Sequence, residues 1–189
     1  MPTPPEFQPW PKIARLNRDI VITEKIDGTN AAIGIGVDEG EVWAQSRTRL
    51  ITPDKDNFGF AGWVKAHEDT LRDILGPGLH FGEWWGLGIQ RGYGLVERRF
   101  SLFNTSRWKV EQKKHDPRWI DGLDIVPVLF TGAMDTVTIE NVLDVLRTHG
   151  SFAVPGYMKP EGIVVFHTAA SVMFKVTLEG DEKPKGLTK

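Results

Sequence analysis

The chain has 189 residues, 23 Lys and Arg against 25 Asp and Glu for a net charge of −2, 40% apolar residues and no cysteine. That length suits one domain, or a domain with a small extension, around a real core. The missing cysteine excludes disulfides, thiolate zinc sites and cysteine nucleophiles, and points to a reducing compartment. No apolar run approaches the ~18 residues of a membrane span. The opening Met1-Pro-Thr-Pro-Pro-Glu lacks the basic start and apolar centre of a signal peptide, so a cytoplasmic protein is expected.

In chain order, residues 1–18 open with five prolines, at positions 2, 4, 5, 9 and 11, and predict an extended arm that Phe7 and Trp10 anchor to the body. Asp19 to Lys25 reads as a strand. After Asp27-Gly28, Asn30 to Val37 and Glu41 to Ser46 alternate loosely, which predicts an antiparallel meander with a turn at Asp38-Glu39-Gly40. Phe60 to Leu75 carries Val64, His67, Leu71, Ile74 and Leu75 at helical spacing and is stopped by Gly76-Pro77-Gly78. Leu79 to Trp85 is a short strand running into glycine-rich residues 86–94, read as a flexible loop because neither GxGxxG nor GK[ST] is present. Phe100 to Asn104 is another strand, and Leu123 to Phe130 a buried one that Pro127 assigns to a sheet edge. Ile139 to His149 is a second amphipathic helix, and Gly162 to His167 with Ser171 to Thr177 form a final hairpin. Strands without regular helix alternation favour an α+β fold of antiparallel sheets over residues 19–178. Residues 179–189 are a polar tail.

Several side chains stand where chemistry uses them. Lys25 ends an apolar strand just before Asp-Gly, and is either an exposed residue before a hairpin turn or a nucleophile held at a pocket mouth. An ε-amine attacks only when neutral, so the second reading demands a supporting cluster. Arg47, after the third strand, can hold a ribose oxygen or a phosphate. Glu83 sits among Phe and Trp and is a candidate ribose or metal contact, and Glu161 opens a buried strand as a Mg²⁺ ligand does. Lys175, inside an apolar strand, calls for an anion. Each has a plainer alternative: a solvent-facing strand cation, or a carboxylate in a buried ion pair. Between Arg91 and Arg118, eight Lys and Arg stand against three acids, with Tyr93, Phe100, Phe103, Trp108 and Trp119 interleaved. That segment, including Arg91, Arg98, Arg99, Arg107 and Lys109, is either a nucleic-acid track or a solvated basic face over core aromatics.

In this order the clusters resemble the motifs of the covalent nucleotidyltransferases, that is the ATP-dependent DNA and RNA ligases and the mRNA capping enzymes, and most closely the RNA ligase 2-like branch. Glu24-Lys25-Ile26-Asp27-Gly28-Thr29-Asn30 resembles the nucleotidyl-acceptor motif, although a histidine often stands in that branch where Asp27 is. Ser46-Arg47-Thr48 is similar to the second motif, and Phe81-Gly82-Glu83 with Gly86-Leu-Gly88-Ile-Gln90 to the third. Phe103 resembles the aromatic that stacks on the purine, and Glu161-Gly162-Ile-Val-Val165 the metal-binding fourth motif. The usual Lys-x-Lys of the fifth is reduced to Lys175, with Met173 or Thr177 in the other place unless Lys183 or Lys185 folds back.

The resemblance implies an ATP-grasp-like nucleotidyltransferase domain using ATP and Mg²⁺ (or Mn²⁺), with Lys25 and Lys175 in catalysis. It implies Glu24, Ile26, Asn30, Arg47, Glu83, Phe103 and Lys175 at the nucleotide, and Glu161 on metal. The implied partner is nicked or broken RNA or DNA, acted on by a monomer away from any membrane. A capping-type guanylyltransferase, or a nucleic-acid-binding protein on a degenerate form of this fold, are the alternatives. The sequence stops soon after the fifth motif, so neither an OB domain nor another C-terminal domain is expected.

Overall fold

The computed structural model describes residues 6–37, 40–109 and 115–180. Residues 38 and 39 of the expected turn, Lys113 and Lys114 of the basic segment, and Lys183 and Lys185 of the tail lie outside these ranges.

Among the described residues ten strands form two sheets. The four-stranded sheet runs β10 (Val172–Thr177), β9 (Gly162–His167), β1 (Asp19–Lys25), β8 (Val128–Ala133). The six-stranded sheet runs β4 (Leu50–Ile51), β3 (Val42–Ser46), β2 (Thr29–Ile35), β5 (Gly78–Gly86), β6 (Arg98–Leu102), β7 (Leu123–Ile125). All pairings are antiparallel except β6 with β7. The expected α+β architecture is present.

The meander is corrected at its first turn. β1 and β2 belong to different sheets, so Asp27-Gly28 is a crossing between sheets and not a hairpin. An added Cβ at Gly28 would lie 2.5 Å from the Trp84 carbonyl oxygen and 2.7 Å from Trp85 Cβ, so glycine serves here for close approach. Leu123 to Phe130 is likewise two strands in two sheets, because Pro127 lacks the N–H that a continuous ladder needs. Its freed carbonyl accepts the Glu24 N–H at 2.9 Å, and both flanking strands lie at sheet edges, as proline requires.

Phe60 to Leu75 is two helices, α1 (Phe60–Ala66) and α2 (Glu68–Leu75). His67 leaves helical geometry at φ −116° and ψ 18°, and its Nδ1 lies 2.8 Å from the Trp63 carbonyl oxygen. Glu68 and Asp69 then suit the positive start of α2. The third helix among the described residues, α3 (Thr136–His149), starts earlier than its apolar spacing indicates. Asp135 caps it by accepting the Val137 and Thr138 N–H groups.

α1 and α2 cover one face of the six-stranded sheet through Ile33, Phe60, Leu71, Trp84 and Phe100. α3 covers one face of the four-stranded sheet through Ile20, Ile22, Leu143, Leu146 and Ile163. A smaller core of Ile26, Trp85, Tyr93 and Val126 joins the sheets at the end of β1. Away from this seam the faces without helices are open, with Phe81, Phe103, Phe166 and Met173 exposed. The arm is not anchored as expected: Phe7 and Trp10 are 84% and 87% exposed.

Candidate active site

Alternation along β1 sends Ile20, Ile22 and Glu24 into the α3 side and Val21, Thr23 and Lys25 to the opposite face. Lys25 pairs with Gly162 on β9, which brings Glu161 alongside, and Lys25 Nζ donates to Glu161 Oε2 at 2.5 Å. Glycine at 162 also lets β10 close in from the other side, since an added Cβ would meet the Val176 carbonyl and lie 2.8 Å from Thr177 Cα. Lys175 lies opposite Val164, and Val164 opposite Thr23, so Lys175 shares the Lys25 face one pleat away. It is exposed, with no hydrogen-bond or ion-pair partner among the described residues.

The other wall is the helix-free face of the six-stranded sheet. Glu83 pairs with Asn30 on β2 and with Ser101 on β6. Its carboxylate accepts from the Gly28 N–H at 3.1 Å and from Asn30 Nδ2 at 3.0 Å. Glu83 is only 7% exposed, and burial pushes its carboxyl up to about 7 against the opposing pull of the Lys25 charge and the Gly28 N–H. Phe103 donates its backbone N–H to Phe81 across the strand pair and is partly exposed on the same face as Glu83, one pleat along. Arg47 follows β3, whose Ser46 pairs with Ala31, so it stands exposed at the Asn30 end of the sheet.

The structure therefore gathers Lys25, Glu161, Glu83 and Asn30, with Lys175, Arg47 and Phe103 at the margins. Two expected nucleotide residues, Glu24 and Ile26, turn their side chains elsewhere. Glu24 turns its side chain away from Lys25, is 1% exposed, and accepts from Ser151 Oγ (2.6 Å), Phe152 N (2.8 Å) and Ala153 N (2.9 Å). Burial pushes its carboxyl up, opposed by those three bonds. Its side chain fastens the turn after α3 to β1, and that of Ile26 packs with Trp85 and Tyr93.

The basic segment is not one surface. Tyr93, Phe100 and Trp108 are buried in the cores. Arg91 binds Asp27, Arg98 donates to the Leu87 and Phe58 carbonyls, and Arg99 pairs with Glu97 and Asp124. Arg107 donates to the Leu75 carbonyl and Lys109 to that of Thr105. Arg98 and Arg107 sit at opposite ends of β5, on the order of 25 Å apart at ~3.3 Å per strand residue. The glycine loop, expected to be flexible, is packed against the body. Ile89 and Tyr93 are buried, and Gly86 bridges Ile89. Sequence reasoning missed Tyr93, whose hydroxyl accepts the Asp27 N–H at 2.9 Å. An aromatic set between Gly92 and Gly94 was the available signal.

No three His, Asp or Glu side chains cluster as a metal cage among the described residues. The donor set fits a hard divalent cation held by one or two carboxylates, Glu161 first and Glu83 beyond Lys25, with phosphate and water completing the shell.

A strand-end lysine paired to a carboxylate that opens the neighbouring strand, facing a second carboxylate across a seam between two antiparallel sheets, is the arrangement of a covalent nucleotidyltransferase domain. Within that class, the family model described as RNA ligase matches residues 18–177, and the chain belongs to the RNA ligase family. No curated protein sequence matches. Solved structures of Naegleria gruberi RNA ligase are similar in fold. The form with PPi gives a TM-score of 0.59 at 19% identity, over 85% of this chain and 50% of that one. A mutant with ATP and Mn gives 0.58 at 16% identity, over 87% and 51%. Another with AMP and Mn gives 0.55 at 16%, over 86% and 50%. The chain thus spans about half the length of these structures.

Proposed function

We propose that residues 19–178 form the adenylyl-transferring unit of an ATP-dependent polynucleotide ligase. The observation that carries this reading is Lys25 Nζ paired with Glu161 at the seam of the two sheets, with the Glu83 carboxyl near enough to feel the Lys25 charge. Family membership supports it, as does the presence of ATP, AMP or PPi in the Naegleria structures.

In the first step the neutral Lys25 amine attacks the ATP α-phosphorus. An N–P bond forms, the bond from that phosphorus to the bridging oxygen breaks, pyrophosphate leaves and the amine proton is lost. Because Lys25 starts as an ion pair with Glu161, that pair must part before attack. Glu161 would hold a divalent cation, which would neutralise phosphate charge. Lys175 and Arg47, both exposed at the margins, meet phosphate oxygens, while Asn30 and Glu83 face the ribose and Phe103 offers its ring to adenine. A 5′-phosphate oxygen of the nucleic acid then takes the adenylyl group from Lys25, and a 3′-hydroxyl displaces AMP to join the strands. The protein contributes mainly position and preorganised charge, as expected for transfer to phosphorus.

The test is incubation with α-labelled ATP and Mg²⁺ followed by denaturing electrophoresis, with α-labelled GTP in parallel. An ATP-specific adduct that Lys25→Ala abolishes is expected. A Lys25→Ala protein labelled at normal yield would sink the assignment, and preference for GTP would favour the capping-type reaction. Salt-sensitive nucleic-acid binding with no adduct would favour a binding protein on this fold.

A further inference from the structure

The segment after Lys25 is held by residues that the reaction scheme leaves unused. Arg91 Nε donates to Asp27 Oδ2 at 3.0 Å, and Arg91 Nη1 donates to the Lys159 carbonyl at 3.2 Å. One guanidinium thus ties the peptide that follows Lys25 to the peptide that leads into Glu161. The Tyr93 hydroxyl takes the Asp27 N–H at 2.9 Å, while Glu83 takes the next one, that of Gly28, at 3.1 Å. Two successive N–H groups just past Lys25 are therefore fixed by β5 and the loop that follows it, although Lys25 itself belongs to the other sheet.

The loop bearing these two residues is strained in a way that serves the clamp. Gln90 and Tyr93 adopt φ of +46° and +53°, a left-handed conformation that side-chain-bearing residues seldom take. Such strain persists only where the surroundings over-determine it. Here the Tyr93 ring packs edge-on against Trp85 at 4.9 Å and against Tyr157 at 4.6 Å, and Ile26 shares the same small core. The Asp27–Arg91 pair is half-buried, so solvent screens it only partly.

We propose that Arg91 and Tyr93 are positioning residues for lysine adenylylation, acting through Asp27 to fix Lys25 against Glu161. The proposal rests on the reading of Lys25 as the adenylyl acceptor. It takes Arg91 out of the nucleic-acid interface and gives Asp27, the position where the RNA ligase 2-like motif often has histidine, a partner of its own. Side chains placed this way set the approach geometry, where an error near 1 Å costs about a hundredfold in rate.

The test measures single-turnover adduct formation against ATP concentration for the wild type, Asp27→Ala, Arg91→Ala, their double variant and Tyr93→Phe. Backbone amide exchange is followed for each. Asp27→Ala and Arg91→Ala are each expected to lower the rate at saturating ATP by roughly ten- to a hundredfold while the half-saturating ATP concentration stays put, and the double variant falls no further. Tyr93→Phe keeps the ring packing and removes only the hydroxyl, with a loss of roughly fivefold. The Asp27 and Gly28 amides exchange faster in Arg91→Ala and Tyr93→Phe, with β5 unchanged. Wild-type rates in the single variants, or a double variant equal to the product of the singles, would overturn the proposal. Unaltered exchange at Asp27 would overturn it whatever the rates show. A wild type that forms no adduct would instead refute the ligase reading, and the exchange data would still decide the clamp.

Discussion

Replacing Glu83 by glutamine separates what this buried carboxyl does to stability from what it does to the nucleotide. Its folded-state value near 7 lies well above the ordinary 4.5, chiefly through burial. An acid raised in this way binds its proton more tightly folded than unfolded. Its stabilising contribution is therefore complete below about 4.5 and lost as the pH climbs through about 7. At about 1.4 kcal/mol for each pH unit of separation, the whole effect is roughly 3 kcal/mol. Glutamine keeps an oxygen for the Gly28 N–H and cannot ionise. Urea unfolding followed by tryptophan fluorescence, at points from below 4.5 to above 7, is expected to show the stability of the wild type relative to Glu83→Gln falling by roughly 3 kcal/mol across that window. A difference between the two proteins that stays constant with pH would refute the reasoning.

Glu24→Ala leaves the Ser151 hydroxyl and the Phe152 and Ala153 N–H groups without their buried acceptor. A loss of about 3 kcal/mol or more is expected by denaturant unfolding. In the same variant the half-saturating ATP concentration for adduct formation stays unchanged, and a rise would return the Glu24 side chain to the nucleotide site. Gly28→Ala drives a methyl group against Trp84 and Trp85. It is expected to cost about 1–3 kcal/mol of stability and most of the adduct, both measurable on one preparation. Arg98→Ala with Arg99→Ala removes bonds to Leu87, Phe58, Glu97 and Asp124. The expected result is a lower melting temperature with adduct formation retained, read by thermal unfolding beside the labelling assay. Lys175→Ala is expected to raise the half-saturating ATP concentration and leave the melting temperature within about a degree or two, as surface substitutions do.

Much of the site was legible because its parts are short motifs tied to strand ends. Lys25 before Asp-Gly, Glu161 before a buried apolar strand and Glu83 between aromatics each carried a local signal; antiparallel pairing joins Lys25 to Glu161, and the Asp27-Gly28 crossing brings them to the sheet that carries Glu83. What failed was information that local pattern does not hold. Asp-Gly looks the same at a hairpin as at a passage between sheets, and only the Trp84 carbonyl and the Trp85 Cβ pressing on Gly28 distinguish them. Apolar spacing runs unbroken through His67, so a break made by a side-chain contact to the Trp63 carbonyl leaves no periodic trace. Glu24 and Lys25 are adjacent, and strand alternation puts them on opposite faces. A motif read as one block hides that division of labour. Arg91 and Asp27 are 64 positions apart, and no spacing rule links them. Arg91 thus looked like part of a basic run in which Arg98, Arg99 and Arg107 are spent on backbone carbonyls and neighbouring acids.

The most direct measurement is peptide mass mapping of the chain after incubation with ATP and a divalent cation. One AMP moiety is expected, carried by the peptide that contains Lys25 and absent from every other lysine. An unmodified Lys25 peptide, or AMP found on Lys175 or elsewhere, would contradict it.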